Sequence, residues 1–91
     1  MLERDIEAYL VKRVKEAGGI AYKFTSPGRR SVPDRIVCWY GGCVDFVELK
    51  APGAKPTPLQ AREHEKLRAL GFTVSVLDSR ADVDTYMSVR Q

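Results

Sequence analysis

A Pro-Asp pair at Pro33-Asp34 is followed, fourteen residues after the aspartate, by Glu48-Leu49-Lys50. Glu48 and Lys50 sit in the run Val44-Asp45-Phe46-Val47-Glu48-Leu49-Lys50, which is apolar enough to read as a buried strand. A carboxylate and an ammonium in such a strand are costly unless something compensates them. Two positions apart on a strand, they share one face. A second acid at the start of the preceding strand completes a set of oxygen donors for a hard divalent cation, with a lysine beside it. The main-chain carbonyl of Leu49 borders the same space and is a further candidate ligand. Such a site suits phosphodiester hydrolysis, because the cation acidifies water and polarises phosphorus without a protein nucleophile. A purely structural Glu48–Lys50 ion pair is the plain alternative, but such pairs gain little after desolvation. Asp34 alone reads as an ordinary capping residue. Its spacing from Glu48 gives it weight.

Lys50 has two possible roles, to orient and help deprotonate the attacking water or to stabilise charge on the phosphate. Basic residues gather nearby: Arg29, Arg30 and Arg35 around Pro33-Asp34, and Lys55 after the second acid. With Lys23 they are candidate phosphate contacts, which confer affinity without reading sequence. No helix rich in Asn, Gln and Arg on one exposed face suggests base readout. The only histidine, His64, lies among Arg62, Glu63, Glu65 and Lys66 and reads as solvated. Cys38 and Cys43 do not form a zinc pattern. They read as free thiols buried in strands.

The elements that must position these groups follow from periodicity. Residues 2 to 17 carry Ile6, Tyr9, Leu10, Val14 and Ala17 on one helical face, ended by Gly18-Gly19. Strands are predicted over 20 to 24, 34 to 39, 43 to 50 and 72 to 77. Thr57-Pro58-Leu59-Gln60 opens a helix with a threonine cap, proline at the first position and glutamine at the third. Leu59, Leu67 and Leu70 are expected to face inward. Ser79 caps a last helix carrying Val83, Tyr86 and Met87. The order α-β-β-β-α-β-α predicts an α/β fold with a mixed central sheet and helices on both faces. The hairpin register decides the site. A two-residue loop at Gly41-Gly42 puts Asp34 and Glu48 on opposite faces. A three-residue loop, Tyr40-Gly41-Gly42, places them directly across from each other, and that loop is the prediction.

The chain has 91 residues, 44% apolar and 30% charged, with a net charge of +3. Those values fit one domain over 1–91, near the size where a single core is only just sufficient. Dimerisation would add buried surface. No signal peptide and no apolar stretch long enough for a bilayer is evident, so a cytoplasmic protein is expected, not a secreted one.

Val32-Pro33-Asp34-Arg35, Phe46-Val47-Glu48-Leu49-Lys50 with Pro52-Gly53, and Thr57-Pro58-Leu59-Gln60 together resemble the PD-(D/E)xK nuclease superfamily. The finer pattern resembles its VRR-NUC branch. The likeness takes in Glu3-Arg4-Asp5-Ile6 and so spans nearly the whole chain. It implies a restriction-endonuclease-like core and a magnesium-dependent endonuclease, with manganese as substitute. Asp34 and Glu48 would be the metal ligands, Lys50 the catalytic lysine, Glu3 the acid of the first helix, and Gln60 the glutamine after the metal strand. Glu7, one turn from Glu3, reaches the same space, and Gln60 is already explained as a capping residue; the sequence leaves both open. Stand-alone members resemble dimeric Holliday-junction resolvases. The resemblance therefore implies branched DNA as substrate, a homodimer, and neither membrane nor nucleotide cofactor. Two other readings compete: a nuclease of plain duplex, sequence-specific or not, and a DNA-binding module with a vestigial metal site.

Overall fold

A computed structural model describes residues 1–90. Its elements are α1 (Glu3–Glu16), β1 (Ile20–Lys23), β2 (Arg35–Cys38), β3 (Val44–Leu49), α2 (Pro58–Ala69), β4 (Thr73–Leu77) and α3 (Arg80–Arg90). The strand order is β1-β2-β3-β4. The first three strands pair antiparallel, and β3 pairs parallel with β4. A parallel step needs a long crossover, which α2 provides. The architecture is the mixed α/β sheet that the sequence pattern predicts.

Alternation along β3 separates two interiors. Val47 and Leu49 belong to the apolar core with Ile6, Leu10 and Val14 of α1, Val83 and Met87 of α3, and Leu77 of β4. Each such side chain contributes roughly 1.5–3 kcal/mol by leaving water. Phe46 points the other way, with its ring 5.7 Å from Phe24 and 5.2 Å from Phe72. Glu48 lies on this second face, under α2. Helices therefore cover both faces, and the two interiors differ in kind: one is apolar and the other is polar toward its α2 end.

The caps are those the sequence announces. Thr57 Oγ1 accepts from Gln60 N–H at 3.2 Å while Gln60 Oε1 accepts from Thr57 N–H at 2.9 Å. Ser79 Oγ accepts from Asp82 N–H at 3.0 Å. At Gly19 an added Cβ would meet Trp39 at 2.8 Å and the Cys38 carbonyl at 3.0 Å, so only glycine allows α1 to turn so tightly into β1.

Two expectations about burial fail. Leu59 and Leu70 are exposed, at 61% and 76%, and Leu67 is half-buried. The helix α2 lies over the polar part of its face, so the side it turns inward carries Gln60 and His64, with Leu67 the one leucine partly covered. The cysteines are free as expected, but Cys43 is exposed and Cys38 only half-buried. Cys43 directly follows the turn, and the buried stretch of β3 begins at Asp45. Among the described residues no helix is long and apolar enough to cross a membrane.

Candidate metal centre

The hairpin between β2 and β3 sets the register. Trp39 N–H donates to the Cys43 carbonyl at 2.8 Å, and Gly42 N–H donates to the Trp39 carbonyl at 3.2 Å. The loop is thus Tyr40-Gly41-Gly42, with φ of 89° at Gly41 and 82° at Gly42, where a side chain would strain the backbone. Pairing continues through Cys38–Val44 and Ile36–Phe46 to Arg35–Val47. One further step opposes Asp34 to Glu48, on the same face. The Asp34 carbonyl accepts from Phe24 N–H at 2.9 Å, and its Oδ2 accepts from Leu49 N–H at 2.8 Å. These bonds fix the aspartate against β3 although it lies just outside β2.

Glu48 is 2% exposed. Its Oε2 lies 3.4 Å from Lys50 Nζ and accepts from Gln60 Nε2 at 3.1 Å. Its Oε1 has no hydrogen-bond partner. Burial, reinforced by the negative charge of Asp34 and only partly offset by Lys50, pushes its pKa up to about 7. A buried polar atom without a partner carries a desolvation cost of about 1–3 kcal/mol, more when charged. A divalent cation bound beside Oε1 would remove that cost. The donors suit such an ion: carboxylate oxygens of Asp34 and Glu48 and the carbonyl of Leu49 are the hard ligands that magnesium takes. Among the described residues no three His, Cys, Asp or Glu side chains cluster tightly enough to hold an ion by themselves. The protein would supply a partial shell, completed by water and phosphate oxygens, as magnesium sites commonly are.

His64 was expected in solvent and is buried, at 1% exposure. Its Nε2 lies 3.8 Å from Glu48 Oε1 and has no hydrogen-bond partner of its own. Burial first, then Arg68 and Lys50, lower its pKa, so the ring is neutral near pH 7. The charged neighbours in sequence disguised it. The signal that finds it is its spacing from Gln60, one helical turn earlier on the same face. Gln60 caps α2 through its amide oxygen, and its amide nitrogen donates to Glu48 Oε2.

Glu7 is committed elsewhere. It binds Arg35 Nε at 2.8 Å and Lys23 Nζ at 3.1 Å, and these cations outweigh burial to lower its pKa. Glu3, at the exposed start of α1, takes part electrostatically, since its charge helps raise the Glu48 pKa.

The basic residues divide. Arg35 opposes Val47 and therefore faces α1, held by Glu7 and by the Ala21 carbonyl at 3.1 Å. The structure does not bring it to the side of the acids. Lys23 is its cross-strand neighbour, also on Glu7. Arg29 bonds Glu63 of α2 at 3.0 Å, and Arg30 and Lys55 are exposed. Lys23, Phe24, Arg29, Arg30 and Asp34 help line an open cleft of about 350 Å³, which gives a basic approach to the aspartate.

A second buried acid escaped the sequence reading. Asp45, fully buried on the apolar face, accepts from Tyr86 Oη at 2.6 Å, Trp39 Nε1 at 3.1 Å and Arg90 at 2.5 Å. Trp39 lies just before the turn, while Tyr86 and Arg90 come from α3, too far along the chain for spacing to reveal them.

No family model matches the chain. A protein of Acyrthosiphon pisum secondary endosymbiont phage 1 named "Putative nuclease p44" is 62% identical over 78 residues, covering 86% of this chain and 84% of that one. A solved structure described as a VRR_NUC domain matches with a TM-score of 0.90 and 36% identity, over 94% of each chain.

Proposed function

The chain belongs to the VRR-NUC family of nucleases, and on that premise we propose that it is a magnesium- or manganese-dependent endonuclease that cuts branched DNA, with the four-way junction as favoured substrate. The observation that carries the metal-dependent reading is the buried, unpartnered Oε1 of Glu48 facing out of a register that opposes Glu48 to Asp34. Asp34, Glu48 and the Leu49 carbonyl would hold the ion. When bound, that ion supplies the charge that polarises the phosphodiester and acidifies an attacking water.

The chain's own groups do the rest. Gln60 and Lys50 hold one oxygen of Glu48 and so aim the other. Lys50 is only 14% exposed in its side chain, so its ammonium works where water screens little. There it stabilises charge that builds on the phosphate, or orients the water that attacks it. Glu3 extends the acidic side of the site from α1. Arg30, Lys55, Lys23 and Arg29 would hold the DNA backbone, the last two after exchanging an acid for a phosphate.

Branched DNA fits the phosphate contacts that the described residues offer. Phosphate contacts without a base-reading helix favour recognition of shape over sequence. One domain of this size does not reach across a four-way junction. A two-fold homodimer would place two sites on opposed strands.

Labelled four-way junction, flap, single-stranded and duplex DNA, each with Mg²⁺, Mn²⁺ or EDTA, test this reading. Paired symmetric nicks confined to the junction and abolished by EDTA support it. Equal cutting of plain duplex makes the protein a general duplex nuclease. Binding without metal-dependent cleavage, in the natural protein and in Lys50→Ala alike, makes the site vestigial.

A further inference from the structure

We infer that the cleft beside Asp34 receives one nucleotide whose base has left the helical stack and lies against the ring of Phe24. The need for an unstacked base then confines cutting to branches. The inference rests on the reading above, that the protein cuts branched DNA, and deepens it by naming what the site recognises at a branch.

Phe24 stands across from Asp34. The Asp34 carbonyl accepts from Phe24 N–H at 2.9 Å, and the strand register carries that alignment on to Glu48. An aromatic ring and the two acids therefore form one row on the same face, each strand about 4.8 Å from the next. The ring is half-buried and backed by Phe46 at 5.7 Å, which packs in turn on Phe72. A ring braced on one side that lines a cleft on another is a stacking platform, and it tolerates any sequence because every base has a π-face.

The cleft has the size and chemistry for a nucleotide. Its volume of about 350 Å³ lies near the small end of ligand cavities, roughly 300–1,000 Å³, so it admits a base but no duplex. Thr25 and Ser26 bring hydroxyls for the base edge or the sugar, and Arg29 and Arg30 bring cations for the phosphates. The loop carrying them is set before any ligand arrives. Arg29 N–H donates to the Ser26 carbonyl at 3.2 Å across Pro27-Gly28, and the Arg29 guanidinium holds Glu63 of α2 at 3.0 Å. Taking a base out of a duplex costs unpairing and unstacking, least where it is already unpaired. A branch interrupts the stack, so such a pocket favours a branch over plain duplex without reading sequence.

The test combines protein variants with DNA that lacks one base. Branched DNA is first cut in Mg²⁺ to map the nick, and the nucleotide flanking it is then left unpaired, with or without its base. Fluorescence anisotropy in EDTA measures binding by the natural protein, Phe24→Leu, Phe24→Tyr and Arg30→Ala, with far-UV circular dichroism confirming each fold. The natural protein should bind the base-bearing DNA more tightly than the abasic DNA by roughly fivefold to a hundredfold, as for one base on an aromatic ring. Phe24→Leu should lose that preference and still bind the abasic DNA as the natural protein does. Phe24→Tyr should keep it. Arg30→Ala should weaken both DNAs alike, as a phosphate contact does. Unpairing the flanking nucleotide should also speed cleavage by roughly tenfold or more. The two DNAs can be compared on the natural protein alone, so a misfolded Phe24→Leu does not shield the inference. If the natural protein ignores the missing base, or Phe24→Leu weakens both DNAs equally, the inference is wrong while the nuclease reading stands. If no branched DNA is cut, the nuclease reading fails and this inference falls with it.

Discussion

Asp45 and Glu48 lie on the same strand, are almost equally buried, and point to opposite faces of the sheet. The chain itself completes the surroundings of the first. Tyr86, Trp39 and Arg90 all reach Asp45, and between them they occupy both of its oxygens. Burial and that neighbouring carboxylate push the Tyr86 phenol pKa well up, which keeps its proton on the hydrogen bond. Glu48 has Lys50 and Gln60 on one oxygen and no hydrogen bond on the other. A buried acid alone therefore does not mark a functional site. An acid whose partners are supplied by the fold holds the fold together, and one left short of a partner is prepared for something from outside.

The sharpest way to break this contrast is to remove each acid in turn. If the reaction runs through an ion held by Glu48, as proposed, Glu48→Ala should cut cleavage of a preferred substrate by roughly a thousandfold or more, several kcal/mol of transition-state stabilisation. It should leave the fold intact, and junction binding in a gel-shift assay within a few-fold, since the phosphate contacts lie elsewhere. Loss of folding in that variant would restore Glu48 to a structural ion pair. Asp45→Ala should do the reverse. It strands the Arg90 cation beside a buried cavity and removes the acceptor of Tyr86 and Trp39, at a cost of about 3–5 kcal/mol in urea unfolding. Where the variant stays folded at low temperature, its metal affinity should match that of the natural protein.

Titration sharpens the same contrast. Burial pushes the Glu48 pKa up to about 7 in the folded protein, from the 4.5 of a glutamate in water. The folded state thus holds that proton more tightly than the unfolded chain. Below pH 4.5 both states are protonated and the residue costs nothing. As pH rises through 7 the metal-free fold loses stability, by an amount on the order of 3 kcal/mol. Urea unfolding at pH 5 and pH 8 should show this loss, and saturating Mn²⁺ at pH 8 should reverse it. Glu7 and Asp84, whose pKa values are lowered, act in the opposite direction at lower pH. Glu48→Gln removes the Glu48 contribution alone, so the difference between the two proteins isolates it. An unchanged pH profile in that variant would mean that Glu48 is not strained.

Local chemistry explains which parts were readable in advance. Tyr40-Gly41-Gly42 sets a three-residue turn, and that turn alone fixes Asp34 opposite Glu48. Thr57-Pro58-Leu59-Gln60 starts α2 at the residue it should. What escaped was decided by which side of an element meets what. The leucines of α2 suggested an apolar inner face, yet the helix covers the acids, so Gln60 and His64 are the residues turned inward. Asp45 looked like a lapse in an apolar strand because Arg90 and Tyr86 become its neighbours only after α3 has docked. Arg35 adjoins Asp34 in sequence, and for that reason alternation sends it to the other face.

The smallest test lies on the completed side. Tyr86→Phe keeps the ring, which packs in the core near Trp39, and deletes only the hydroxyl that donates to Asp45. Hydrogen bonds to charged groups contribute about 1.5–3 kcal/mol. The loss here should fall near the bottom of that range, because Trp39 and Arg90 still hold the carboxylate. For a domain of this size each kcal/mol lowers the melting temperature by roughly 4–8 °C. The shift should be the same at pH 5 and pH 8, since the phenol, its pKa raised by burial, keeps its proton across that window. Metal binding should not respond. If Mn²⁺ affinity weakens along with stability, the two faces are coupled through β3, and the division between a holding acid and a working one is less clean than the contacts imply.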